Sequence, residues 1–166
     1  MTPTLVVLLL PAAAALALPS VPTDEFLSRV SPVTLAYIGD AVFELAARER
    51  LCWPPAKIDA LSSQVTARVC AEGQHAVMQR VRSEFGLTEE ELEWLRRGRN
   101  ASSRGPRRLD PKVYRESSAM ETLIGYLYTV DRARLDALLE FCFETPLPEE
   151  DDGDSTSGGG GAESSN

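Results

Sequence analysis

The stretch that most constrains this chain runs from Ser31 to Arg48, SPVTLAYIGDAVFELAAR, an apolar run with two carboxylates set inside it, Asp40 and Glu44. A serine followed by proline starts a helix, because the serine side chain caps free amides and proline is preorganised for the first turn. The residues that follow are apolar on nearly every side, which predicts a mostly buried helix to about Leu51, where Trp53-Pro54-Pro55 stops it. A carboxylate in such a setting is expensive to bury unless something pairs with it. Asp40 and Glu44 lie four apart and so share one helix face.

A second apolar helix, Ser118-Ala-Met-Glu-Thr-Leu-Ile-Gly-Tyr-Leu-Tyr128, carries Glu121. Two buried helices, each presenting a carboxylate, match what Mg²⁺ takes from a protein: one or two carboxylates, with water and phosphate oxygens completing the octahedron. The plainer alternative is that Asp40 and Glu121 pair with arginines or cap neighbouring elements.

Charge tilts the balance. The net charge of −8 conceals seven acidic residues from Glu144 onward with no basic ones, so the rest of the chain sums to about −1. Between Arg96 and Arg115, eight basic residues face only Asp110. Arginine forks match phosphate geometry, so an acidic whole here carries a basic working surface next to the helix of Glu121. Carboxylates beside a polyanion-binding loop point toward metal-dependent phosphodiester cleavage. The single histidine, His75, disfavours a zinc site or a histidine triad, and three unpatterned cysteines disfavour a disulfide framework.

The rest of the chain is helical by pattern. A helical region is expected over 56–85, kinked or divided at Gly73, since glycine costs about 1 kcal/mol in a helix interior. Thr88-Glu-Glu-Glu91 is a capping box opening a short helix that should end at Arg97-Gly98, followed by a loop over 98–110. Asp110-Pro111 starts a helix to about Thr129, and Asp131 caps a last one to Phe143. Nothing alternates at period two, so no strand is expected. The expected fold is all-α over residues 24–145. Residues 1–23, with an apolar run and Ala15-Leu16-Ala17, read as a leader or targeting segment. Residues 146–166, rich in acids, glycine and serine, read as a disordered tail.

Three segments together carry a family resemblance. Leu35-Ala-Tyr-Ile-Gly-Asp-Ala-Val-Phe-Glu-Leu45 resembles the signature helix of the ribonuclease III catalytic domain, and more closely that of its Mini-III branch. Arg97-Gly-Arg-Asn-Ala101 and Tyr114-Arg-Glu-Ser-Ser-Ala-Met-Glu-Thr-Leu-Ile-Gly-Tyr-Leu-Tyr128 look like the other two Mini-III hallmarks, in the same order. The resemblance implies an all-helical endoribonuclease acting as a homodimer on double-stranded RNA, with no appended double-stranded-RNA-binding domain. It also implies Mg²⁺, with Mn²⁺ as a substitute, held by Asp40 and Glu121 as catalytic metal ligands. Ala36 and Ser118 stand where ribonuclease III proper has further acids, which matches the Mini-III branch and leaves more of the coordination to water and RNA. Glu44 is left open. Arg97, Arg99, Asn100 and Arg104 are the RNA-binding candidates.

The implied substrate is the large-subunit ribosomal RNA precursor. The alternative is a non-catalytic RNA-binding protein of the same fold, associated with ribosomes or intron splicing. The expected compartment is a plastid, with the cytoplasm or another organelle as alternative, and no stable membrane association is expected.

Overall fold

In the computed structural model, which describes residues 23–102 and 105–147, the chain folds into seven helices with no strand among the described residues. They are α1 (Thr23–Arg29), α2 (Pro32–Leu51), α3 (Ile58–Val69), α4 (Ala71–Glu84), α5 (Glu89–Ala101), α6 (Pro111–Val130) and α7 (Arg132–Glu144). The all-α expectation holds. The proposed leader and tail lie, apart from residues 23, 146 and 147, outside the described residues. Among the described residues no single helix is long and apolar enough to cross a membrane.

The starts are set by local chemistry. Ser31 Oγ accepts from the Thr34 amide at 3.1 Å ahead of Pro32. Thr88 and Glu91 form the reciprocal capping box of α5, at 3.2 and 2.7 Å. Asp110 accepts from the Lys112 amide at 2.7 Å, and Asp131 from the Arg134 amide at 2.9 Å.

α6 forms the middle of the molecule, and α2, α4, α5 and α7 pack around it. Its residues from Thr122 to Leu127 are buried without interruption, so it turns no face to water over that stretch. The buried stripe of α2 is Leu35, Gly39, Phe43 and Ala47, at the four-residue spacing of a single helix face. Where α2 crosses α6 the two backbones meet. A Cβ added at Gly39 would overlap the Glu121 carbonyl oxygen, and one added at Gly125 would overlap that of Leu35. Close helix approach, at a small local cost, is what these two glycines are for.

Three boundaries differ from the sequence expectation. α1 precedes Ser31 and packs Phe26 and Leu27 against the core. The 56–85 region breaks at Cys70, whose extended backbone and Sγ cap α4, while Gly73 lies inside α4 because a side chain there would strike the Ala67 carbonyl. Most consequential, α5 runs to Ala101. Gly98 does not end it; a Cβ at this position would run into the Thr122 side chain, so the glycine makes room for α6.

Candidate active site

The α2–α6 crossing places Asp40, next to Gly39, beside Glu121, whose own carbonyl touches Gly39. Both side chains line one open cavity of about 350 Å³, whose walls include Ala36, Tyr37, Gly98, Tyr114, Ser118 and Thr122. Three helices meet there: α2, the end of α5 and the first half of α6. Close packing at Gly39, Gly98 and Gly125 is what lets them converge.

The acids are electrostatically strained. Burial pushes the Glu121 carboxyl up to about 7, the charge of Asp40 adds to this, and bonds from Gln74 and Ser117 pull the other way. Asp40 is also raised, by burial and then by Glu44. Two hard oxygen donors that resist ionising, Glu121 through burial and Asp40, and Asp40 through burial and Glu44, in an open, water-accessible hollow, fit a divalent cation that would relieve both. Among the described residues no cluster of three or more metal-ligating side chains exists, so such a cation would take the rest of its shell from water and substrate. Glu44 turns away to an ion pair with Arg48 along the helix.

The basic candidates are scattered. With α5 extended to Ala101, Arg97, Arg99 and Asn100 are helical residues that point in different directions. Arg97 lies over the Trp94 ring, 4.0 Å from its centroid. Arg99 Nη1 binds Glu116 Oε1 at 2.8 Å, and Arg82 Nη2 and Nε hold the other oxygen at 2.9 and 3.1 Å. Glu116 is only 3% exposed, so both arginines serve a buried acid and the triad keeps one net positive charge. Asn100 is exposed. Arg104 lies outside the described residues. Sequence reasoning missed Arg82, Glu116, Gln74 and Ser117; no local pattern marks an ion pair between residues 34 apart in the chain.

A family model described as the ribonuclease III domain matches residues 33–132. A Mini-ribonuclease 3 of Synechocystis is 47% identical over 110 residues, covering 66% of this chain and 76% of its own. That of Gloeobacter violaceus is 45% identical, covering 69% and 90%. The chain belongs to the ribonuclease III family, in its Mini-ribonuclease 3 branch. A Staphylococcus aureus Mini-ribonuclease 3, 37% identical over 70% of this chain and 89% of its own, agrees. The fold also matches a crystal structure of a Fusobacterium nucleatum protein, with a TM-score of 0.65 and 25% identity over 72% of this chain and 96% of that one.

Membership makes the chain an endoribonuclease of the ribonuclease III type, a family whose enzymes depend on divalent metals. It also gives two wall residues a meaning. Ala36 and Ser118, the positions that depart from ribonuclease III proper, both line the cavity of Asp40 and Glu121.

Proposed function

We propose that this chain is a Mg²⁺-dependent endoribonuclease that cuts double-stranded or structured RNA as a homodimer, with the large-subunit ribosomal RNA precursor as its substrate. The observation that carries the reading is the pairing of Asp40 and Glu121 across one cavity at the α2–α6 crossing. Both would hold the cation, which supplies water activation and charge stabilisation at the phosphate when bound. The protein's own part is to hold the two carboxyl groups at one cavity, where a cation would favour their ionised forms. Tyr114, Ser118 and Thr122 shape the wall against which the phosphate backbone would lie.

The second protomer has a place to sit. Val33, Tyr37, Ala41 and Leu45 recur at four-residue intervals on the outer face of α2, and Tyr37 is 81% exposed at the mouth of the cavity. An uncovered apolar stripe of this kind fits a second copy and would place two cavities on one duplex. Arg97 and Asn100, and the positive charge left over on the Arg82–Arg99–Glu116 triad, are separate points at which the RNA backbone would be met by charge and shape rather than by base reading. The plastid is the proposed compartment, on the leader-like composition of residues 1–23.

Purified protein with Mg²⁺ should cut a structured RNA duplex, and Asp40→Asn should abolish cutting while leaving duplex binding intact. Wild-type protein that binds duplex RNA but never cuts it with Mg²⁺ or Mn²⁺ would overturn the catalytic reading. Sedimentation of a strict monomer at micromolar concentration would overturn the dimer, and a full-length fluorescent fusion that stays in the cytosol would overturn the plastid.

A further inference from the structure

Gln74 of α4 is 1% exposed and does not line the cavity, yet it is wired to it. Its Nε2 donates to the Val69 carbonyl oxygen at 2.9 Å, which fixes the amide, because the flipped amide would set oxygen against oxygen there. Oε1 therefore faces Ser117, whose hydroxyl donates to it at 2.7 Å. The same Ser117 Oγ lies 3.5 Å from Glu121 Oε1, and the Gln74 amide is close enough to favour the ionised Glu121 carboxylate. Ser117 has one hydroxyl hydrogen, and the 2.7 Å contact claims it for Gln74, so Ser117 fixes the amide and the amide, whose second Nε2 hydrogen remains, is the neutral donor available to the acid on α6.

Packing alone does not call for this wiring. A methionine of similar volume would fill the same space with no polar atoms to satisfy. Neutral groups matter for a different reason. An arginine or lysine in this place would orient Glu121 but also neutralise it and compete with a cation. An amide and a hydroxyl orient a carboxylate and leave its charge for the cavity.

We propose that Gln74 and Ser117 are positioning residues of this endoribonuclease, holding the Glu121 carboxylate toward the cavity from behind without neutralising it. This rests on the reading that Glu121 holds the divalent cation. It predicts that the pair sets cation affinity rather than RNA affinity.

The test uses full-length Gln74→Met and Ser117→Ala, with Glu121→Gln as reference. Three quantities are measured: half-saturating Mg²⁺ for cleavage, the Mg²⁺-induced rise in thermal midpoint without RNA, and duplex RNA affinity in chelator. Gln74→Met should raise half-saturating Mg²⁺ about tenfold, the scale on which partners of metal ligands act. Ser117→Ala should raise it less. Both should shrink the Mg²⁺-induced midpoint rise and leave RNA affinity in chelator unchanged. Variants that melt earlier but keep the wild-type Mg²⁺ requirement and midpoint rise would reduce the pair to a structural role and overturn the inference. If Gln74→Met does not fold, Ser117→Ala decides alone. A wild-type midpoint rise in Glu121→Gln would overturn the metal-site reading itself, and this inference with it. Loss of the rise in Glu121→Gln, with silent Gln74 and Ser117 variants, would overturn this inference alone.

Discussion

The α-carbon of Gly39 lies against the carbonyl oxygen of Glu121, with no room between them for a methyl group. One acid of the site therefore follows directly in sequence the residue that touches the backbone of the other. Gly39→Ala tests this coupling. Alanine is favoured over glycine by about 1 kcal/mol in a helix interior, so a loss of stability would be due to packing. Overpacking of this kind costs about 1–3 kcal/mol, so after the helix gain urea melts should show a net loss of up to about 2 kcal/mol. Cleavage measured where the variant is still folded should fall further than the unfolded fraction explains, because α2 must carry Asp40 away from Glu121.

Glu121 should make the metal-free protein less stable as pH rises. Its carboxyl titrates near 7 when folded against 4.5 as the ordinary value. Between those values the folded state holds a proton that the unfolded state has released. Stability from this group therefore declines as pH rises through that window and is flat above it, by up to about 3 kcal/mol at about 1.4 kcal/mol per unit. Glu121→Gln should remove the decline and be more stable than wild type at pH 8 in chelator, while losing cleavage. Adding Mg²⁺ should restore stability to wild type and not to the variant. Thermal melts from pH 4 to 8, with and without Mg²⁺, check both.

Glu91 has the opposite sign. Burial raises its carboxyl, but bonds from Arg134 at 2.8 and 3.0 Å and from the Thr88 amide outweigh that and hold it below the ordinary value. Its contribution is present above the ordinary glutamate range and disappears as pH falls through the depressed value. Glu91→Ala removes the capping box and the tie between α5 and α7 at once. It should cost about 2–3 kcal/mol at pH 7 and much less near pH 3, read from denaturant midpoints at the two values.

What the sequence showed and what it hid divide by range. Ser31-Pro32, the Thr88–Glu91 box and Asp110-Pro111 announce helix starts, because each cap joins residues within one turn. Asp40 and Glu121 stood out as acids in apolar helices, an anomaly visible in one dimension. Gly98 misled because its reason is Thr122, a residue on another helix; locally a glycine after arginine looks like a stop. Gln74 and Ser117 left no signal, since a buried polar residue in a helix has the same letter as an exposed one. Arg99 looked free for RNA because its partner Glu116 lies elsewhere in the chain.

That last pairing separates two arginines that the sequence treats alike. Arg97 sits over the Trp94 ring, an interaction worth about 0.5–1 kcal/mol, and feels the carboxylate of Glu93 only by charge, since Arg96 holds that group. Arg99 is one of two cations on the buried Glu116. Arg97→Ala should therefore barely move the thermal midpoint. It should still lower the slope of log affinity against log salt by about one, because one phosphate fewer is neutralised. Arg99→Ala should lower the midpoint, because Glu116 keeps only Arg82, and a buried acid stripped of a partner costs about 1–3 kcal/mol. Its effect on RNA should be partly recovered by Glu116→Gln, which releases Arg82 from the acid and makes the local charge of Arg99→Ala/Glu116→Gln equal to that of the intact triad. Salt-dependent binding of one RNA duplex to the four variants, beside their melts, separates the two roles. An unchanged salt slope in Arg97→Ala would take that residue out of the RNA path and leave Arg99 and Arg82 to supply the charge.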